Sequence, residues 1–271
     1  MRNLVLTVIV AVLAFATAFS AVRVATANLQ DFGYGGSDCK GAIGITQMAC
    51  FLSQYDVISC QEVMRASASG QRCYGCTGSL CHLDLLVGEM TRVSDAIWSY
   101  RVAGPYVYGT RYEYYAILFN TSTVRYLGKE GTADEVPGAP VFAVRPPFWA
   151  YFGSGNFDFV LVNYHAPSEG SSVSTSDEVR KLDGFIRALQ ASDETEQDII
   201  LAGDLNVTRI SMSPTLDCSC KATLDYIVLD TAYTDHEWVQ PCYTDTTLRT
   251  RSLSDHPILW AEFDTDQPDD D

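Results

Sequence analysis

Two short stretches late in the chain gather residue types able to do chemistry at phosphorus: Leu201-Ala202-Gly203-Asp204-Leu205-Asn206 and Ser254-Asp255-His256-Pro257. Each sets a compact acid, amide or imidazole beside an apolar run, Ile199-Ile200-Leu201 before the first and Ile258-Leu259-Trp260 after the second. Such runs read as buried strands, whose ends deliver side chains to a cleft. A phosphodiester is a poor electrophile at neutral pH. Its hydrolysis needs charge neutralisation at the phosphate, an activated water and a proton for the leaving oxygen. The two stretches read together as the halves of a metal-assisted site for that reaction.

Groups of the same kind stand at the ends of other strand-like runs. Asn28 closes the first, Gln61-Glu62 the second and His165 a later one. Glu62 is a hard oxygen ligand suited to Mg²⁺ or Ca²⁺, which hold few protein carboxylates and several waters. His165 and His256 supply groups that titrate near neutrality.

The elements that must position these groups are many short strands and few helices. Strand-like runs cover 22–29, 56–61, 114–120, 148–152, 157–163, 198–202, 224–229 and 257–263, and helical patterns cover 43–54, 83–99 and 176–190. Thr175 and Glu178 stand at capping-box spacing before the third helix. Loops rich in Gly, Ser and Cys separate the elements at 33–41, 66–79 and 169–175. No repeat or linker interrupts them. Strands and helices alternate along the chain, which favours one domain of layered sheets covered by helices over residues 21–263.

Composition narrows the function classes. With 271 residues, 47% hydrophobic and 11% aromatic, the chain buries a substantial core, and disorder is excluded. Its 34 acids against 18 basic residues give a formal charge of -16, so no broad basic surface is available to hold nucleic acid. A polyanionic substrate must be met by a few placed cations and bound divalent metal. Part of the acidity falls in residues 264–271, expected as a solvated acidic tail.

Residues 1–20 read as a secretory signal peptide: Arg2, an uncharged apolar stretch from Leu4 to Phe15, then Ala16-Thr17-Ala18. A spanning anchor wants about 20 apolar residues, and strand-like sequence begins at Val22. The expectation is a secreted chain with no membrane association after cleavage. Secretion permits disulfides. Cys73, Cys76 and Cys81 cluster in one loop, Cys218 and Cys220 form a second knot with Cys242 downstream, and Cys60 suits a buried free thiol. A zinc site of Cys73, Cys76, Cys81 and His82 weighs below disulfides, since no second Cys-x-x-Cys pair supports it.

The ordered set of motifs resembles the endonuclease/exonuclease/phosphatase superfamily, and within it the deoxyribonuclease I family. It is carried by Arg23-Val24-Ala25-Thr26-Ala27-Asn28, Asp56-Val57-Ile58-Ser59-Cys60-Gln61-Glu62-Val63, Glu113-Tyr114-Tyr115, His165-Ala166-Pro167-Ser168, Gly203-Asp204-Leu205-Asn206, Leu224-Asp225-Tyr226-Ile227-Val228 and Ser254-Asp255-His256. The resemblance implies an α+β fold, a four-layer α/β/β/α sandwich of two mixed, mainly antiparallel sheets flanked by helices. It implies Glu62 as principal metal ligand, with Asn28 and Asp255 near the metal or its waters and Asp204 and Asn206 binding metal or scissile phosphate. His165 and His256 become the catalytic pair, oriented by Glu113 and Asp225 respectively. A carboxylate acceptor fixes the tautomer of an imidazole and raises its basicity.

The sequence also departs from the family pattern. The segment between Asp204 and Asp225 is short and carries Cys218 and Cys220. The family's minor-groove arginine falls on Met64, with Arg65 one place later, and its groove tyrosine becomes Arg111. Arginine enters a narrow minor groove readily. A further family arginine, near the phosphate, matches Arg145, although the Glu-Pro after it is here Pro-Pro. Arg65, Arg111 and Arg145 are the candidate substrate-binding residues. Tyr106, Tyr108, Tyr112, Tyr114 and Tyr115 weigh as sheet packing before groove lining. Asn120-Thr121-Ser122 is the better glycan acceptor, because a glycan on Asn206 would block the phosphate site.

The expected activity is that of a secreted, monomeric, divalent-metal-dependent endonuclease hydrolysing DNA, with Mg²⁺ or Mn²⁺ and with Ca²⁺ as a further candidate. The alternative is a phosphatase, a sphingomyelinase-like phosphodiesterase or a nuclease toxin subunit on the same site. A binding protein with a dead site ranks last, since Glu62, His165, Asp204, Asn206, Asp225 and His256 are all present.

Overall fold

The computed structural model describes residues 20–34, 40–65, 80–108, 111–168, 170–210, 216–230, 232–234 and 237–267. The expected signal peptide lies outside the described residues, apart from Ser20. One sheet contains β1 (Ala21–Phe32), β2 (Val57–Met64), β3 (Trp98–Tyr108), β4 (Arg111–Asn120), β11 (Trp238–Asp245) and β12 (Ile258–Asp264), in the order β11-β12-β1-β2-β4-β3. The other contains β5 (Arg125–Thr132), β6 (Phe148–Ser154), β7 (Phe157–His165), β8 (Ile199–Asp204), β9 (Leu216–Ala222) and β10 (Asp225–Asp230), in the order β5-β6-β7-β8-β10-β9. Only β1·β2 and β7·β8 run parallel; the remaining pairs are antiparallel.

Three apolar layers make this a four-layer sandwich. α1 (Gly41–Leu52) and α2 (Cys81–Ser94) cover the outer face of the first sheet through Met48, Leu52, Leu86 and Met90. The sheets face one another through Val22, Val24, Ile117, Phe152, Phe159, Ile200, Ile227 and Phe263. α3 (Thr175–Ser192) covers the second sheet with Val179, Leu182, Phe185 and Ile186. A short α4 (Thr247–Thr250) precedes β12.

Strand alternation explains where the chemistry lands. Side chains two apart share a face of a strand. Asn28 continues the row of Val22 and Val24, Glu113 that of Tyr115 and Ile117, His165 that of Phe159 and Leu161, Asp204 that of Ile200 and Ala202, and Asp225 that of Ile227 and Leu229. Each is thus the polar end of a row that further along packs sheet on sheet. Between apolar rows and charged ends lies a belt of buried neutral polar groups. Gln61 Nε2 donates to Asn163 Oδ1 at 2.9 Å, Asn163 Nδ2 donates to Cys60 O and Ala116 O, and Ser59 Oγ donates to Ala202 O at 2.6 Å. These bonds join the two sheets next to the site.

Several expectations need correction. α2 ends at Ser94, with Asp95 left-handed at φ 54°, and Trp98–Tyr108 is strand where helix was expected to run to residue 99. The capping box of Thr175 and Glu178 does not form: Ser174 caps α3 by accepting from Asp177 N. Thr175 Oγ1 donates to Pro167 O, and Glu178 accepts from Ala143 N. The acidic tail starts later than residue 264, for Asp264 closes β12 and both it and Thr265 are buried, Thr265 N donating to Ser20 O.

The cysteines answer in part. Cys220 and Cys242 form a disulfide that ties β9 of one sheet to β11 of the other. Cys60 is a buried free thiol. Cys81 is disulfide-bonded and His82 is fully buried against Phe32, which removes the zinc reading. Cys73 and Cys76 lie outside the described residues.

Candidate active site

The parallel pairs bring four strand ends to one edge of the sandwich: Asn28 on β1, Glu62 on β2, His165 on β7 and Asp204 on β8. Glu113 enters from the start of β4, Asp225 from the start of β10, and His256 from the turn before β12. A cleft of about 230 Å³ opens there, lined among others by Asp31, Glu62, Arg111, His165, Asp204 and His256.

Two carboxylate–imidazole pairs define its geometry. His165 Nδ1 lies 2.7 Å from Glu113 Oε1. His256 Nδ1 lies 3.0 Å from Asp225 Oδ2. In each pair the carboxylate engages the nearer nitrogen and leaves Nε2 for the cleft, and both Nε2 atoms stand 3.7 Å from Asp204 Oδ2. The hydroxyl of Tyr115 accepts from His165 N at 3.0 Å, and Ser254 Oγ accepts from His256 N while donating to Asn28 O.

Asn28 gathers the acids. Its Nδ2 donates to Glu62 Oε1 at 2.9 Å and to Asp204 Oδ2 at 3.0 Å. Glu62 Oε2 accepts from Asp31 N at 2.8 Å, and Asp204 Oδ1 accepts from Asn206 N at 3.0 Å. Glu62 and Asn206 hold left-handed backbone, at φ 56° and 51°. Strain of this kind persists where surroundings over-determine it, and it concentrates at functional sites. Asn206 Nδ2 donates to Ala166 O.

The donor set is hard: carboxylates, an amide and imidazole, with no thiolate. Asp204, Asp225 and His256 bring one ligand atom each within 4.8 Å of one another. Asp225 is already committed to His256 Nδ1, while Glu62 and Asp204, which both accept from Asn28 Nδ2, offer further carboxylate oxygens to a cation. Such a set fits Mg²⁺, Mn²⁺ or Ca²⁺ and not a soft metal. The Asp255 side chain stands 65% exposed, with Oδ1 3.8 Å from His256 Nε2.

The candidate arginines occupy three different settings. Arg145 is 2% exposed, pairs with Glu113 and donates to Ala166 O at 3.0 Å. It stands behind the His165 pair. Arg111 reaches the cleft, paired with Asp31 and lying 4.5 Å over the Tyr34 ring. Arg65 is exposed and lies 5.3 Å over the ring of Tyr112. Tyr114 and Tyr115 are buried, as sheet packing requires.

Electrostatics follow from this packing. Burial pushes the Glu113 carboxyl up, but His165 and Arg145 outweigh it and bring it down to about 2. Burial disfavours charging of His165, yet Glu113 and Asp204 raise its pKa against both burial and Arg145. Burial likewise opposes charging of His256, and Asp225, Asp204 and Asp255 raise it to about 9.

Sequence reasoning missed Asp31, the Tyr115 hydroxyl and the Asn163 belt. Asn163 had a signal, since it sits two residues before His165 on the same strand face. Asp31 had none.

Residues 26–256 match the endonuclease/exonuclease/phosphatase family, and the chain belongs to it. No curated protein matches the sequence. Among solved structures, the fold is similar to an endonuclease/exonuclease/phosphatase family protein of Leptotrichia buccalis, with 13% identity, TM-score 0.64, and coverage of 90% of this chain and 99% of that one. It is similar to a humanized TDP2 of D. rerio at 15% identity and TM-score 0.57, covering 91% of this chain and 100% of that one. A mannosyl-6-phosphatase of Bacteroides thetaiotaomicron has 17% identity and TM-score 0.53, with coverage of 89% and 99%. At these identities the likeness is one of fold.

Proposed function

We propose that the protein is a secreted deoxyribonuclease I-like endonuclease that hydrolyses DNA phosphodiester bonds with a divalent metal ion. The observation that carries this reading is the convergence of two carboxylate-backed imidazoles, Glu113–His165 and Asp225–His256, on Asp204. A phosphodiester presents two oxygens that need proton management, that of the attacking water and the leaving 3′ oxygen. Two oriented histidines answer that need. The Cys220–Cys242 disulfide supports an oxidising compartment.

Glu62 and Asp204, with Asn28 beside them and Asp255 at the rim, would hold Mg²⁺ or Mn²⁺, which when bound supplies charge neutralisation at the phosphate. Asn206 lines the cleft with its Nδ2 bonded to Ala166 O, and the same amide would donate to a phosphate oxygen. Arg111 offers a cation in a cleft that Asp31, Glu62 and Asp204 also line. Arg145 acts through Glu113, holding the carboxylate that orients His165.

The purified chain is expected to nick supercoiled plasmid with Mg²⁺ and to stop on chelation. A parallel panel of RNA, phosphoinositide, sphingomyelin and mannose 6-phosphate tests the substrate class. Hydrolysis of a monoester with no plasmid nicking would overturn the endonuclease reading in favour of a phosphatase.

A further inference from the structure

At the end of β1, Gln30 and Asp31 both hold left-handed backbone, at φ 51° and 52°. Two successive non-glycine residues in that region are costly, and the local structure shows what holds them. Lys40 Nζ donates to Gln30 O, Asp31 N donates to Glu62 Oε2, and Tyr34 N closes a turn on Asp31 O at 3.0 Å. The middle of the turn is anchored. Phe32 is fully buried, with its ring edge-on to His82 at 5.0 Å. Gly33 at φ 92° passes so near that a Cβ there would lie 2.2 Å from the His82 ring. The two ends of this turn face one guanidinium: the Asp31 carboxylate pairs with Arg111, and the Tyr34 ring lies 4.5 Å beneath it.

We propose that Asp31 is an internal competitor for the substrate phosphate, its carboxylate occupying the Arg111 guanidinium at the cleft mouth until a phosphate group displaces it. This rests on the reading that the cleft takes a phosphoester. The Asp31 and Arg111 side chains are 25% and 39% exposed, so their pair is screened and exchangeable. A phosphate group carries more charge than the carboxylate and can take a bidentate fork from the guanidinium. Tyr34 keeps the guanidinium parked when the carboxylate leaves. The backbone bond from Asp31 N to Glu62 does not depend on the side chain, so the exchange leaves the acid at the cleft floor in place. The device selects for strongly anionic ligands, because a weak anion fails to displace a tethered carboxylate.

Isothermal titration of inorganic pyrophosphate in the presence of Mg²⁺ tests this on wild type, Asp31→Asn, Arg111→Ala and the double variant. Asparagine tolerates left-handed backbone and keeps the donor to Glu62. Asp31→Asn is expected to tighten binding about fivefold at low salt, the scale of an exposed ion pair. Arg111→Ala should weaken binding and abolish the gain in the double variant. In DNA cleavage the gain should fall on KM and not on kcat. Unchanged, weaker or undetectable binding by Asp31→Asn, or a gain that survives in Arg111→Ala, overturns the proposal. If the titrations behave as expected while wild type cleaves no DNA, the endonuclease reading fails and the competition stands. If DNA is cleaved and Asp31→Asn gains nothing, the competition alone fails.

Discussion

His165 and His256 approach a single oxygen from two different sheets: each Nε2 lies 3.7 Å from Asp204 Oδ2, while each Nδ1 is held by its own carboxylate. His165 closes β7 of one sheet, and His256 precedes β12 of the other. Their meeting therefore depends on how the sheets stack.

The first prediction concerns this pair. His165→Ala and His256→Ala should each lower plasmid nicking by about 100-fold or more, the usual range of positioned acid–base catalysis. The double variant should be little worse than either single one, since groups that act as a unit are not additive. Initial rates on supercoiled plasmid, with circular dichroism melts beside them, check this. Nicking that survives both changes would remove the histidines from the mechanism.

A second prediction separates orientation from stability. Glu113 and Arg145 are 1% and 2% exposed. Glu113→Gln keeps the shape but removes the carboxylate charge that Arg145 and His165 share. Breaking a buried pair by removing one partner costs about 3–5 kcal/mol. The sign with pH follows, because Glu113 is held at about 2 against an ordinary 4.5. Its contribution is complete above 4.5 and is lost as pH falls towards 2. Urea titrations at pH 7 and pH 3 should show a wide gap between wild type and Glu113→Gln at the higher pH and a narrow one at the lower.

The belt between the sheets yields a third. Asn163→Leu removes one acceptor of Gln61 Nε2 and the donor to Cys60 O and Ala116 O, all buried. Gln61 Nε2 keeps its bonds to Ser59 O and Ser59 Oγ, so the cost falls on the two carbonyls, about 1–3 kcal/mol for each left unpaired. A melt lowered by several degrees is expected, together with reduced kcat, because Asn163 stands two residues from His165 on the same face. A stability loss with full activity would show that the belt does not position the site.

Much of this architecture was legible in the sequence, and the strands that escaped share a physical cause. The central strands announced themselves through apolar runs such as Ile199-Ile200-Leu201. β3, β5, β9 and β11 did not, and all four are sheet edges. β5 buries little on either face, with Lys129 and Glu130 on it, so no alternation marks it. The residues brought to the cleft follow the motif order, because each motif lies on, or in a turn beside, a strand of fixed register. Asp31 was invisible for the opposite reason: its position depends on a left-handed backbone kink that no side-chain pattern encodes.

The last prediction lies away from the cleft. His82 is fully buried on α2, and neither ring nitrogen has a hydrogen-bond partner among the described residues. Burial lowers its pKa to about 4, with Asp84 opposing. Its ordinary value is 6.5, so the unfolded chain takes up the proton first as the solution is acidified. Stability is full above 6.5, and the folded state loses ground as pH falls from there to about 4, by about 3 kcal/mol for a shift of this size. Replacing the ring with an apolar side chain also removes a buried, unpaired N–H. His82→Leu should therefore match or exceed wild type at pH 7 and exceed it clearly at pH 4.5, read as urea midpoints. Midpoints that fall in parallel for both proteins across this range would mean that His82 is not the group taking up the proton.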